Sequence, residues 1–122
     1  MNGRVLVSVL AIVFAVLLGV SFAGGGAAKL AGAAVMRADA ERFGFSYRAF
    51  QVVGASELCG GAGLVAGLWF SSLAVAAATG LVALMVGAVA CHLRAKDPVA
   101  KVLPAVVVGL LVVVSGVLSV YR

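Results

Sequence analysis

The chain has 122 residues, of which 65% are hydrophobic and 11% charged, and its mean hydropathy is +1.26. A soluble domain of this length has too much surface for its volume to bury so many apolar side chains, so the composition predicts an integral membrane protein. The pI is near 9.9. The basic residues flank apolar runs and do not alternate with aromatic residues, so we expect no nucleic-acid partner.

Three apolar runs divide the chain: Val5–Ala28, Ala49–Leu93 (interrupted by Glu57) and Val102–Tyr121. A bilayer core about 30 Å thick takes about 20 helical residues. The outer runs therefore fit one span each, and the middle run fits two spans with a turn at Trp69–Ser72. We predict an all-α fold, an integral membrane four-helix bundle. It forms a single transmembrane domain over residues 1–122, with helices at about 5–23, 49–68, 73–92 and 98–120.

The first run also has features of a signal peptide. Arg4 precedes it, and Ser21-Phe22-Ala23 suits a signal peptidase. The run nevertheless exceeds the usual length of about 7–15 residues. We therefore expect it to be kept as a transmembrane helix.

The loops carry helix signals of their own. Residues 33–43 alternate charged and apolar side chains at roughly helical spacing, which predicts a short interfacial helix that Gly44 would end. A solvated connector is the alternative. Asp97 is expected to be the N-cap of the last helix and Pro98 its first residue, and Pro104 should kink that helix.

The lysines and arginines are unevenly divided between the two sides that four spans define. Seven of the nine fall in the first and third loops: Lys29, Arg37, Arg42, Arg48, Arg94, Lys96 and Lys101. Arg4 and Arg122 lie on the other side. The positive-inside rule then predicts that loops one and three are cytoplasmic and that both termini lie outside. If the loop cations bind an anionic ligand instead, the rule gives the wrong orientation.

Small residues recur four apart along the second and third spans, at Ser56/Gly60, Gly63/Gly67, Ala76/Gly80 and Ala83/Gly87. Such pairs let helices approach closely. We expect tight packing within one bundle, with a homo-oligomer through these glycine-rich faces as the alternative.

Glu57 is the most informative residue, because it is the one formally charged side chain between Ala49 and Leu93 if His92 is neutral. A carboxylate inside a span costs about 2.5–3.5 kcal/mol on insertion scales. Helical rise places it about 12 Å from the first-loop side, in the half that also holds Cys91 and His92. The alternatives to a functional role are a hydrogen bond to a neighbouring helix for Glu57 and a helix-end cap for His92.

The candidate site is therefore a polar pocket open toward loops one and three. Its candidate catalytic residues are Glu57 and His92. Its candidate ligand-binding residues are Lys29, Gln51, Arg94, Gly54, Gly61 and Met85. Cys59 and Cys91 lie on different helices about 12 Å apart in depth, so we expect no disulfide, no metal site and no cofactor.

Several short segments occur in an order and spacing shared with a known family. They are Ala28-Lys29-Leu30, Phe43-Gly44-Phe45-Ser46-Tyr47, Gly54-Ala55-Ser56-Glu57-Leu58, Gly80-Leu81-Val82-Ala83-Leu84-Met85 and His92-Leu93-Arg94-Ala95-Lys96-Asp97. Over about residues 20–105 the chain resembles the DoxX-like family of small four-helix bacterial membrane proteins. The resemblance implies a bacterial inner (plasma) membrane location and functional positions at Lys29, Glu57, His92 and Arg94. Some relatives are associated with thiol or quinone redox systems.

The function expected from these observations is binding or transformation of a lipophilic or amphipathic small molecule, or a lipid, at the pocket around Glu57. Glu57 would donate or accept a proton, and the other candidate residues would orient the ligand. Isomerisation, epoxide opening or hydration needs little more than positioning and one acid or base. The alternatives are a non-catalytic membrane subunit of a thiol or quinone redox system, and a structural membrane protein.

Overall fold

The computed structural model describes residues 2–122, which form five helices. These are α1 (Gly3–Ala31), α2 (Ala34–Phe43), α3 (Tyr47–Ala66), α4 (Ser71–Arg94) and α5 (Val99–Tyr121). The four helices other than α2 are long and apolar enough to cross a membrane. The predicted all-α membrane bundle is confirmed, and α2 occupies the place of the predicted short helix in the first loop.

The first helix is longer than the sequence predicts, because α1 continues past Ala23 through three glycines to Ala31. Gly26 lies against the backbone of α3 at Gly54, and an added Cβ at Gly61 would lie 2.6 Å from the carbonyl oxygen of Gly19. The packing of α1 on α3 therefore outweighs the intrinsic cost of glycine in a helix.

The start of α5 differs from the prediction. Pro98, with φ −65°, is its N-cap residue and makes no side-chain cap bond. Asp97 as N-cap is therefore wrong, because its carboxylate faces Arg42 and His92 instead. The predicted end of α2 is confirmed, since Gly44 has φ 81° and its N–H reaches the carbonyls of Ala40 and Glu41.

The buried core lies deeper in the bundle than Lys29 and Glu57. It comprises Leu18, Phe22, Leu64, Leu81 and Val112, with Ala78 beside them. We call the end of the bundle nearer to Lys29 and Glu57 the mouth. Helices α1 and α4 end there, and α3 and α5 begin there. The core fills the bundle further from the mouth than Lys29 and Glu57. The space between the core and the mouth is therefore left for polar side chains.

Candidate functional site

The centre of the site is an ion pair between α1 and α3. Lys29 Nζ lies 2.8 Å from Glu57 Oε1, and the two side chains are only 14% and 10% exposed. Helix direction explains the contact, because side chains lean toward the N-terminus of their helix. Lys29 on α1 therefore leans inward, away from the mouth, and Glu57 on the antiparallel α3 leans toward the mouth.

Two glycines make room for this pair. An added Cβ at Gly54 would lie 2.6 Å from the Cβ of Lys29, so a side chain there would push α1 and α3 apart. An added Cβ at Gly25 would lie 3.2 Å from Glu57 Oε2. The Glu57 carboxylate is thus level with Gly25, one turn deeper than Lys29.

Aromatic rings cover the pair on its mouth side. The Phe50 ring packs against Phe43 and Phe45, with centroids 6.5 and 6.1 Å away. Lys29 Nζ lies 5.3 Å from the Phe50 centroid, a cation–π distance. The ammonium is therefore held by a carboxylate on one side and a ring face on another.

A second polar cluster ties α2 to the loop between α4 and α5. Arg42 pairs with Asp97 and, at 2.9 Å, with Asp39. His92 Nδ1 lies 2.6 Å from Asp97 Oδ2. The hydrogen bond from Arg42, followed by that from His92, lowers the pKa of the Asp97 carboxyl below its usual value, and the same contact raises the pKa of Arg42.

Asp97 also decides which nitrogen of His92 can meet a ligand. An ionised carboxylate accepts hydrogen bonds but donates none, so His92 Nδ1 must be the donor. Nε2 is then the ring nitrogen left for other partners. The Phe43 ring stands edge-on to the imidazole, with centroids 5.1 Å apart, and fixes its plane.

Both clusters border one cavity of about 330 Å³ between α3 and α4, with α2 above it. Its lining is Lys29, Met36, Asp39, Phe43, Phe45, Phe50, Val53, Glu57, Ala83, Leu84, Met85, Gly87, Ala88, Cys91 and His92. Four of the candidate residues named from the sequence, Lys29, Glu57, Met85 and His92, line it. The face of α2 over the cavity follows helical spacing, with Met36, Asp39 and Phe43 at i, i+3 and i+7.

The other four candidates lie outside that lining. Gln51 Nε2 donates to the Leu30 carbonyl at 3.0 Å, which satisfies one of the free carbonyls at the end of α1. Arg94 donates to the Phe43 carbonyl at 3.3 Å and so braces the end of α2. Gly54 and Gly61 face α1.

Sequence reasoning missed Asp97, Arg42, Asp39 and the aromatic wall. The spacing Phe43, Phe45, Phe50 was a usable signal, because three rings gather just before a span that carries a buried charge. Asp97 was not recognised as a site residue, because Asp97 followed by Pro98 is typical of the start of a helix.

The cysteines and metal-binding potential can be described for residues 2–122. Cys59 is exposed, Cys91 is half-buried, and both are free thiols. Within that range no three His, Cys, Asp or Glu side chains gather closely enough to hold a metal ion.

Fold and site together define a small helical membrane protein with four candidate spans and, near one end of the bundle, a mostly apolar cavity that Lys29, Glu57 and His92 also line. The model of the DoxX-like family matches residues 13–115, and the chain belongs to that family. No curated protein and no solved structure matches the chain.

Proposed function

We propose that this protein binds a lipophilic or amphipathic small molecule in the cavity between α3 and α4. The observation that carries the proposal is the mixture of surfaces in one space of about 330 Å³. Ring faces and methionines supply an apolar wall, while Lys29, Glu57 and His92 supply a few fixed polar groups. Ligand sites in proteins are typically concave and mostly apolar, with a small number of placed polar groups.

The same groups support acid–base chemistry on the bound molecule. His92 Nε2 can accept a proton, because Asp97 holds Nδ1 as the donor. Glu57 can accept a hydrogen bond at Oε2 while Oε1 stays with Lys29. A reaction of the class of isomerisation, epoxide opening or hydration needs such a base beside an oriented substrate.

The test is to fill the cavity without disturbing the helices. Gly87 borders the cavity, and an added Cβ there would meet nothing within 4 Å. Gly87→Leu should therefore leave folding intact and reduce the amount of small molecule that co-purifies, as measured by native mass spectrometry in nanodiscs. Gly80→Leu is the matched control, because Gly80 lies on the same helix, is equally open and borders a different groove.

Equal ligand retention in the two variants would contradict the proposal. Loss of the ligand only from Gly87→Leu would support it. Activity assays with neutral epoxides or alkenes can follow once a retained molecule gives the carbon skeleton.

We also propose that the mouth faces the cytoplasm of a bacterial inner membrane. The support is the excess of lysine and arginine in loops one and three. A reporter inserted near Asp39 should then behave as cytoplasmic, and one fused after Arg122 as extracytoplasmic. The reverse pattern would mean that the mouth cations serve the site and do not set orientation.

A further inference from the structure

We infer that the ligand of this cavity carries no net charge, and that its polar end both donates and accepts hydrogen bonds, as an alcohol or an amide does. This inference rests on the proposed function and names the ligand class of the same site. It comes from one observation: each charged side chain that lines the cavity already has a partner within the chain. The pairs are Lys29–Glu57 at 2.8 Å and Asp39–Arg42 at 2.9 Å, and His92 Nδ1 donates to Asp97 at 2.6 Å.

An anionic ligand would be attracted chiefly to the Lys29 ammonium, and taking it would leave the Glu57 carboxylate without a counter-charge. A cationic ligand would compete with Lys29 for that carboxylate and leave the ammonium alone. Both side chains are at least 86% buried inside the bundle, where an uncompensated charge is costly. Either ionic ligand must therefore offset the loss of an existing pair before it gains affinity.

A neutral polar group can use the pair without separating it. The ammonium has three N–H donors, and Glu57 engages it through Oε1. Oε2 can still accept a hydrogen bond from a group in the cavity, because Glu57 is one of the lining residues. A hydroxyl placed there would donate to Glu57 and accept from Lys29, so both charges keep their balance.

The apolar remainder of the ligand would then lie along the rest of the cavity. Phe43, Phe45 and Phe50 form its mouth side, and Met36 and Met85 lie in its lining. Methionine adapts to irregular apolar shapes. The lining thus fits a neutral amphiphile, with its head at the ion pair and its body against rings and thioethers.

The test uses three probes with the same ten-carbon tail: decan-1-ol, decyl sulfate and decyltrimethylammonium. The protein is held in nanodiscs of zwitterionic phosphatidylcholine, and binding is followed by ¹³C-methyl NMR of its methionines. The sequence has three methionines, and Met36→Leu and Met85→Leu assign the two signals at the cavity. Each titration is expressed as probe mole fraction in the bilayer, so that partitioning into lipid does not imitate affinity.

We expect decanol to shift the Met36 and Met85 signals at a mole fraction at least tenfold below that of either ionic probe. A tenfold preference corresponds to about 1.4 kcal/mol. Glu57→Gln should reverse the preference toward decyl sulfate, because it frees the ammonium of Lys29. Lys29→Leu should reverse it toward the cationic probe, and either variant alone is enough to test the reasoning.

If an ionic probe binds the unmodified protein as well as decanol does, the inference of a neutral ligand is overturned while the cavity remains a binding site. If none of the three probes shifts either methionine signal, the proposed function fails, and the inference fails with it.

Discussion

Separating the Lys29–Glu57 pair should cost more stability than deleting it. The pair is 2.8 Å long, and its side chains are 14% and 10% exposed. Removing one member of a buried ion pair costs about 3–5 kcal/mol, because the remaining charge is left uncompensated. Glu57→Leu and Lys29→Met should therefore each lower the free energy of unfolding by about 3 kcal/mol or more.

The double variant should be much closer to the unmodified protein, because well-packed apolar replacements for both partners are often neutral or stabilising. The measurement is unfolding by SDS in mixed micelles, read as a double-mutant cycle. Additive losses, with the double variant as unstable as the sum of the singles, would refute the claim that the two charges act as one buried unit.

Three further outcomes follow from the geometry. Gly25→Ala should reduce ligand retention, because the new Cβ would lie 3.2 Å from Glu57 Oε2, whereas Gly24→Ala should not, because a Cβ there meets nothing within 4 Å. Equal ligand retention in the two variants would contradict this. Gly61→Leu should impair assembly far more than Gly3→Leu, since a Cβ at Gly61 would lie 2.6 Å from a backbone oxygen that cannot yield, while Gly3 faces open space; similar thermal midpoints would show that helix packing is looser. Asp97 has its pKa lowered in the folded protein, so its contribution to stability is present above about pH 4 and is lost as pH falls further. Asp97→Asn should flatten that acid limb of the stability–pH curve, and an unchanged limb would contradict its assignment to this carboxyl.

Much of the fold could be predicted from the sequence because a bilayer imposes simple limits on length and charge. The apolar runs and the turn near Trp69 follow from those limits alone. The overrun of α1 to Ala31 did not, because glycine reads as a helix breaker until a neighbouring backbone is seen to occupy the space. Gly26 against Gly54 is that case.

Four of the residues named from the sequence line the cavity, and Glu57 had the clearest signal among them. Glu57 stands out in the sequence because no other residue between Ala49 and Leu93 carries a formal charge if His92 is neutral. Its depth could be counted from the helical rise. Its pairing with Lys29 required knowing that α1 reaches far enough to bring that lysine level with Gly54. The role of Asp97 depends on two partners from different elements, Arg42 and His92. Contacts of this kind cannot be read from the spacing of residues in the sequence.

Because Lys29 leans into the bundle, the two positions of the ion pair, one on α1 and one on α3, are not equivalent. A lysine near a helix end usually extends toward water, but Lys29 leans toward the N-terminus of α1 and so away from the mouth. Exchanging the two residues, Lys29→Glu with Glu57→Lys, would keep the net charge and the helix positions. The new lysine on α3 would then lean toward the mouth, against the Phe50 ring that covers the pair on that side, and the shorter acid on α1 would reach less far inward to meet it. The two residues are therefore not interchangeable, because the direction of each helix decides which of the two positions suits the longer side chain.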